Sequence, residues 1–314
     1  MKDQSAHTGC NNASVTGALC ALSAFLIWGV FPLYFRALSD VPAFEVLAHR
    51  VVWSTLLVGL VAVMLRHGPQ VWAIVKDWRR LGLYFCTSVL ITINWLVFIY
   101  AVGHDQVLQS SLGYYMTPLV NVLLGVLFLS ERLSRTEAVA IALVAAGVFG
   151  LLFDLGSVPV IGLILAITFG AYGLIRKKIG GDPLIGVLIE TSLATPPAVC
   201  YLIWTGGATA FRTHAVTTDL LLVVSGLVTA VPLILFAAGA NRLRLSTVGL
   251  LQYITPTGQF LLAVLYFGEP FTRGHAVAFS CIWIALALVG HDMWRKSQLI
   301  PDRPTRATLL QSEL

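Results

Sequence analysis

Leu112-Gly113-Tyr114-Tyr115-Met116-Thr117-Pro118 is answered 138 residues further on by Leu250-Leu251-Gln252-Tyr253-Ile254-Thr255-Pro256. The register then holds without a gap. Leu123 and Leu124 match Leu261 and Leu262, Glu131 matches Glu269, Arg135 matches Arg273, Val139 matches Val277, and upstream Phe98 matches Phe236. The chain therefore reads as two related halves. Weaker matches extend to the start of each half, with Trp28-Gly29 resembling Tyr172-Gly173 and Pro42 resembling Pro183. That last anchor sets His49 opposite Glu190.

Both halves are built of apolar segments long enough to cross a bilayer, which takes about 20 residues each. Ten are expected, at roughly 16–36, 44–65, 81–103, 107–129, 136–153, 158–175, 184–205, 219–240, 246–268 and 273–291. Hydrophobic residues make up 57% of the chain and charged residues 11%, against about 25% charged in a soluble domain, so no separate soluble catalytic domain is expected. Of the 20 basic residues, all but Arg36, Arg50, Arg212 and Arg273 fall on one side if the N-terminus is cytoplasmic. Such a bias orients membrane proteins and supports an even number of spans, with both termini cytoplasmic.

Five spans per half is odd, so the second half enters the membrane from the opposite face. The expected fold is all-α and integral to the membrane: ten transmembrane helices as two inverted five-helix repeats. The expected organisation is a cytoplasmic tail over 1–15, a first repeat over 16–153, a second over 158–291, and a cytoplasmic tail over 292–314. Residues 66–80, with four basic residues and Trp72 and Trp78, fit a segment at the membrane interface. The five cysteines show no metal or disulfide spacing and read as apolar thiols. The net charge of +5 lies in short loops and does not indicate nucleic acid. The sequence has no Walker A loop, no GxSxG, no HExxH and no TVGYG filter, so neither an enzyme nor an ATP-driven pump is expected, and no cofactor or metal.

Ionisable groups at depth need an explanation, because each costs about 2.5–3.5 kcal/mol on insertion scales. Glu45 and His49 share a helical face in span 2, and Arg50 lies roughly 9 Å in from its end at about 1.5 Å per residue. His49 and Arg50 read as charge recognition for an anionic or carboxylate-bearing substrate, or as an external gate. The alternative for Arg50 is a snorkelling side chain neutralised by Glu45 or headgroups. Glu190 in span 7 reads as a carrier of a coupling proton, or as a structural partner of Arg176 or Lys177. Trp28, Asn94, Tyr114, Tyr115, Tyr172, Gln252 and Tyr253 read as lining a central substrate site, with helix-to-helix hydrogen bonding as the alternative. Pro118 and Pro256 are candidate helix kinks, each freeing a carbonyl one turn earlier. Ala138, Ala142, Ala146 and Gly150 form a small-residue ladder suited to close packing, internal or at a dimer seam.

Several blocks resemble the RarD branch of the EamA-type transporters, in the drug/metabolite transporter superfamily. They are Ile27-Trp28-Gly29 with Pro32 and Phe35, His49-Arg50-Val51, Asn94-Trp95-Leu96, Ser111-Leu112-Gly113-Tyr114, Tyr172-Gly173-Leu174 with Arg176, Ile189-Glu190-Thr191 and Gln252-Tyr253-Ile254 with Pro256. The resemblance implies ten helices around a central cavity, residence in a bacterial inner membrane, alternating access and export of small metabolites or drugs. The branch takes its name from a link to chloramphenicol sensitivity. Asn or Gly often precedes the proline in that pattern, where this chain has Thr117 and Thr255. The expected function is thus a secondary carrier of a small metabolite or drug-like amphiphile, with membrane lipid around it, possible proton coupling, and a monomer or homodimer as its state. A lipid flippase or scramblase and a non-transporting membrane subunit are the alternatives.

Overall fold

The computed structural model describes residues 4–129, 135–155, 158–205, 211, 215–240 and 251–299. Every regular element among them is a helix. In chain order they are α1 (Gln4–Gly29), α2 (Phe31–Arg36), α3 (Ala43–Met64), α4 (Gly68–Lys76), α5 (Trp78–Gly103), α6 (Val107–Leu129), α7 (Arg135–Leu155), α8 (Val160–Ile179), α9 (Pro183–Thr205), α10 (Val216–Ala240), α11 (Ile254–Leu261) and α12 (Arg273–Leu299). A wide turn, Leu262–Tyr266, closes α11 through the Phe267 amide bonding to the Leu262 carbonyl. Helix α1 begins at Gln4, so it runs through the segment expected as a tail. Residues 4–15 contain no proline, and a helix once formed propagates cheaply.

Among the described residues, six helices are long and apolar enough to cross a membrane: α1 with α2 from Thr16, α3, α5, α9, α10 and α12, with shorter apolar helices at 138–151, 160–176 and 254–266. Only 33–50% of each long apolar window is buried. The remaining apolar surface, with Trp204, Phe153 and Ile203 fully outward, calls for lipid rather than water. Helix α4 buries no residue and presents Trp72, with Lys76 over its ring, and Trp78 is exposed at the start of α5. It has the composition of an interfacial segment.

The turns follow local chemistry. Asp77 caps α5 by accepting the amides of Arg79 and Arg80 at 3.1 and 3.2 Å. Gly180 and Gly181, with φ of 65° and 89°, end α8, and Asp182 accepts the Leu184 amide to start α9.

The chain forms two compact units, Met1–Glu131 with Ser157–Thr272, and Arg132–Gly156 with Arg273–Leu314. Each unit draws on both halves of the sequence. In the first, α3 packs on α9 and α10, α1 on α10 and α11, and α8 on α5 and α6. The α6–α8 crossing is backbone to backbone, because a Cβ at Gly113 would stand 2.6 Å from the Gly162 carbonyl oxygen. In the second, α7 packs on α12. The buried side of α7 carries Ala140, Val144, Gly147 and Leu151, and Gly147 meets Cys281 and Ala278. Of the expected ladder, Gly150 lies by Val277 of α12, while Ala138, Ala142 and Ala146 are exposed, as the dimer-seam alternative requires.

Candidate functional site

The site residues lie within the first unit, arranged about a buried guanidinium. Arg50, on α3, is 3% exposed. Its charged carbon stands 4.4 Å from the Trp95 ring centre of α5, 5.3 Å from Phe35 and 5.8 Å from Phe31 of α2. Its Nε donates to Thr229 Oγ1 of α10 at 2.9 Å, and Nη1 is buried without an acceptor. Arg50 forms no ion pair among the described residues. The snorkelling alternative is thereby corrected. Arg50 points inward, and Glu45 instead accepts the Phe211 amide at 3.1 Å. His49 is buried against the Phe211 ring at 4.9 Å, its Nε2 unpartnered. Removing one ion of a buried pair costs about 3–5 kcal/mol; Arg50 stands in that condition, offset by cation–π attraction of about 2 kcal/mol when desolvated.

Asn94 and Tyr114 sit beside this cage. Asn94 Nδ2 donates to the Leu165 carbonyl and to Thr168 Oγ1, both at 3.0 Å, and Tyr114 donates to Asn94 Oδ1 at 3.1 Å. This triangle ties α5, α6 and α8 together. Tyr114 is also the middle member of a chain of touching rings. Phe35 meets Phe98 at 5.9 Å, Phe98 meets Tyr114 at 5.9 Å, Tyr114 meets Phe169 at 6.1 Å, and Phe169 meets Tyr172 at 5.8 Å.

At the far end of the chain, Tyr172 donates to Glu190 Oε2 at 3.2 Å, and Arg176 Nε stands 3.6 Å from Glu190 Oε1. Glu190 is 2% exposed, and Ser88 donates to its backbone carbonyl. Gly186 leaves the space that Arg176 fills, since a Cβ there would overlap the guanidinium. Glu190 thus meets Arg176, the partner named for its structural role.

Each end of the ring chain opens on a cavity. One, of about 240 Å³, lies between Phe35, the α2–α3 turn and the end of α5, with Asp40 and His104 in its wall. The other, of about 220 Å³, is walled by Tyr172 and Arg176, Val58, Pro183 and Val187, and by Leu233 and Phe236 of α10. Ala43 and Val58, one in each wall, stand roughly 22 Å apart along α3 at about 1.5 Å per residue.

The other candidates lie around this axis. Tyr115 shares a 2.6 Å hydrogen bond with Thr257 and stacks on Tyr253 at 6.5 Å, and Ser111 donates to the Pro256 carbonyl at 2.8 Å. These contacts join α6 to α11. Trp28 clusters with Phe25 and Phe236, and its carbonyl accepts from Gln259 Nε2 at 3.3 Å. Gln252 is half-buried in the turn before α11, its carbonyl taken by the Thr255 amide. Pro256 falls in the first turn of α11, where a missing N–H leaves no bond unmade, and the irregular backbone comes later, at Leu262–Tyr266. Helix α6 runs unbroken past Pro118, whose side chain lies outside the described residues.

Sequence reasoning missed Phe31, Phe35, Phe169, Thr229 and the inward aim of Arg176. Tyr172 and Arg176 are four apart and so share a face. That signal was present but masked by the basic run Arg176-Lys177-Lys178, which reads as a loop anchor.

A bundle of lipid-facing helices with buried charges and an aromatic axis defines a multi-pass membrane protein of the transporter class. Residues 15–153 match the EamA-like transporter family. The uncharacterized transporter YojE of Bacillus subtilis is 43% identical over 275 residues, 87% of this chain and 92% of its own length. Protein RarD of Salmonella typhi is 43% identical over 278 residues, 88% and 95% respectively. A solved crystal structure, 17% identical, shares the fold at a TM-score of 0.59, covering 88% of this chain and 97% of its own. The chain belongs to the EamA-like transporter family, in its RarD branch.

Proposed function

We propose that the chain is a secondary active carrier that exports a small metabolite or drug-like amphiphile across the bacterial inner membrane by alternating access. It is organised as ten spans in two inverted five-helix repeats with both termini cytoplasmic. The observation that carries this reading is the run of rings from Phe35 to Tyr172, with a cavity at each end, Arg50 against the Phe35 ring of one and Arg176 in the wall of the other. An axis lined this way matches an occluded passage for a molecule with an apolar body and a polar group. The family, and relatives described as transporters, support it over an enzyme.

The test is a thermal-shift screen of purified protein in detergent at pH 6 and pH 8, followed by counterflow in proteoliposomes for each hit. The panel holds amino acids, nucleosides, sugar phosphates and chloramphenicol-like amphiphiles. A ligand that binds the folded state raises the melting temperature by mass action. A saturable hit that is exchanged across the bilayer, and weakened in Asn94→Ala or Gln252→Ala, is the expected result. Lipid scrambling with no exchange of any solute would replace the carrier with a lipid-handling protein. Glu190 is the candidate for proton coupling. Glu190→Gln is expected to abolish dependence on a pH gradient while passive exchange persists, and unchanged gradient-driven uptake would remove it from that role.

A further inference from the structure

We infer that the cargo is a small organic anion, its carboxylate received by Arg50 and its flat apolar body by the rings around it. This rests on the carrier reading above and names the substrate class of that same axis. Arg50 and the partly buried Arg176 are treated differently. Arg176 has Glu190 as its counter-charge. Arg50, the more deeply buried, has none among the described residues, and its Nη1 is buried without an acceptor.

Among the described residues no carboxylate pairs with Arg50. Helix α2 offers Phe31 and Phe35, α5 offers Trp95, and α10 offers Thr229, which takes only Nε. Tyr34 and Tyr114 lie within electrostatic reach, and both hydroxyls are committed, to the Leu221 carbonyl and to Asn94. Glu45, five residues before Arg50 on α3, is held by the Phe211 amide. A guanidinium presents five donors in a fixed fork and pairs with a carboxylate through two of them. Here one donor nitrogen is engaged and the fork end is unfilled.

The same ring that covers Arg50 also walls a cavity. Phe35 lies 5.3 Å from the guanidinium and lines the 240 Å³ space beside the α2–α3 turn. Phe35 is thus common to the cage of the guanidinium and to the wall of that space. Asp40 in that wall disfavours anions lingering there, so the arginine, not the vestibule, is where the charge is recognised. Trp95, Phe31 and Phe35 then supply faces for a flat apolar body once the carboxylate has taken the guanidinium.

The experiment pairs acids with their neutral amides: benzoate with benzamide, 1-naphthoate with 1-naphthamide, and indole-3-acetate with indole-3-acetamide. Binding is measured at pH 7.5 on the full chain in phosphatidylcholine nanodiscs. Chloramphenicol serves as a neutral reference, and counterflow of each compound is measured in parallel. At least one acid is expected to bind tenfold or more tightly than its amide. Arg50→Gln is expected to erase that preference and Arg50→Lys to retain part of it. Because Arg50→Gln could fail to fold, the acid-against-amide comparison on the unmodified chain decides by itself. Amides binding as well as acids, or a preference that survives Arg50→Gln, overturns the inference while exchange of neutral compounds keeps the carrier. Competition by phosphatidylglycerol for the acid site would assign the charge to a lipid headgroup and also overturn it. No binding and no exchange of any compound removes the carrier and the inference together.

Discussion

Gly186 shows how one missing methyl group sets a charge. The Arg176 guanidinium occupies the space where its Cβ would be, and from there it reaches Glu190 at 3.6 Å. Gly186→Ala is expected to swing the guanidinium away and leave Glu190 unpaired, at a cost of roughly 1–3 kcal/mol. The diagnostic is non-additivity. On that background Glu190→Gln should cost at least about 0.5 kcal/mol less than it does alone, read from melting temperatures in one detergent; full additivity would mean that Gly186 does not place Arg176. The identities of Arg50, Glu190, Asn94 and Tyr172 as odd polar groups in apolar segments were legible in the sequence, since depth alone singles them out. Their company was not. That Arg50 would face three rings and Glu190 an arginine fourteen residues earlier depends on which helices meet, and periodicity within one helix does not encode that.

Two features test the elements. The α6–α8 crossing brings Gly113 against the Gly162 backbone, which cannot rotate aside. Gly113→Ala is expected to cost about 1–3 kcal/mol, lowering the melting temperature; an unchanged melting temperature would show that these helices can part freely. At the start of α6, Glu269 accepts the amides of Val107 and Leu108, each at 2.7 Å. This carboxylate comes from the turn after α11 and caps a helix of the other half, and Arg36, over Phe267, pairs with Asp105 beside it. Glu269→Ala is expected to cost about 1 kcal/mol, as for a lost cap. Burial pushes the Glu269 carboxyl above its usual range, outweighing the downward pull of the two amides. Its contribution is therefore complete below the ordinary carboxylate pKa and fades as pH rises through the raised one. The melting-temperature advantage over Glu269→Gln should shrink from acidic pH toward neutrality, and an advantage that grows would mean the amides win. Helices at 43–64, 107–129 and 183–205 follow the expected apolar segments closely, because length and hydropathy suffice to place them. The break at Val30 between α1 and α2 lies between Gly29 and Pro32, a helix-end and helix-start signal that was legible but not used, whereas the wide turn at Leu262–Tyr266 lies in apolar sequence with no glycine or proline and was not legible.

At the scale of the molecule, the proposed inverted repeat predicts that both ends of the chain face one compartment. A fluorescent protein fused at either terminus should fold and fluoresce as a cytoplasmic domain, and a dark fusion at one end only would remove the even number of spans. The ring-filled axis carries a different consequence. Protons cross membranes by hopping along columns of water, and along the line from Phe35 to Tyr172 a file of rings spaced 5.8–6.1 Å apart stands where such a column would run. The resting protein should therefore be an insulator. A cell could keep many copies in its energised membrane without dissipating the gradient, and reconstituted vesicles bearing it should hold an imposed proton gradient as long as empty ones do.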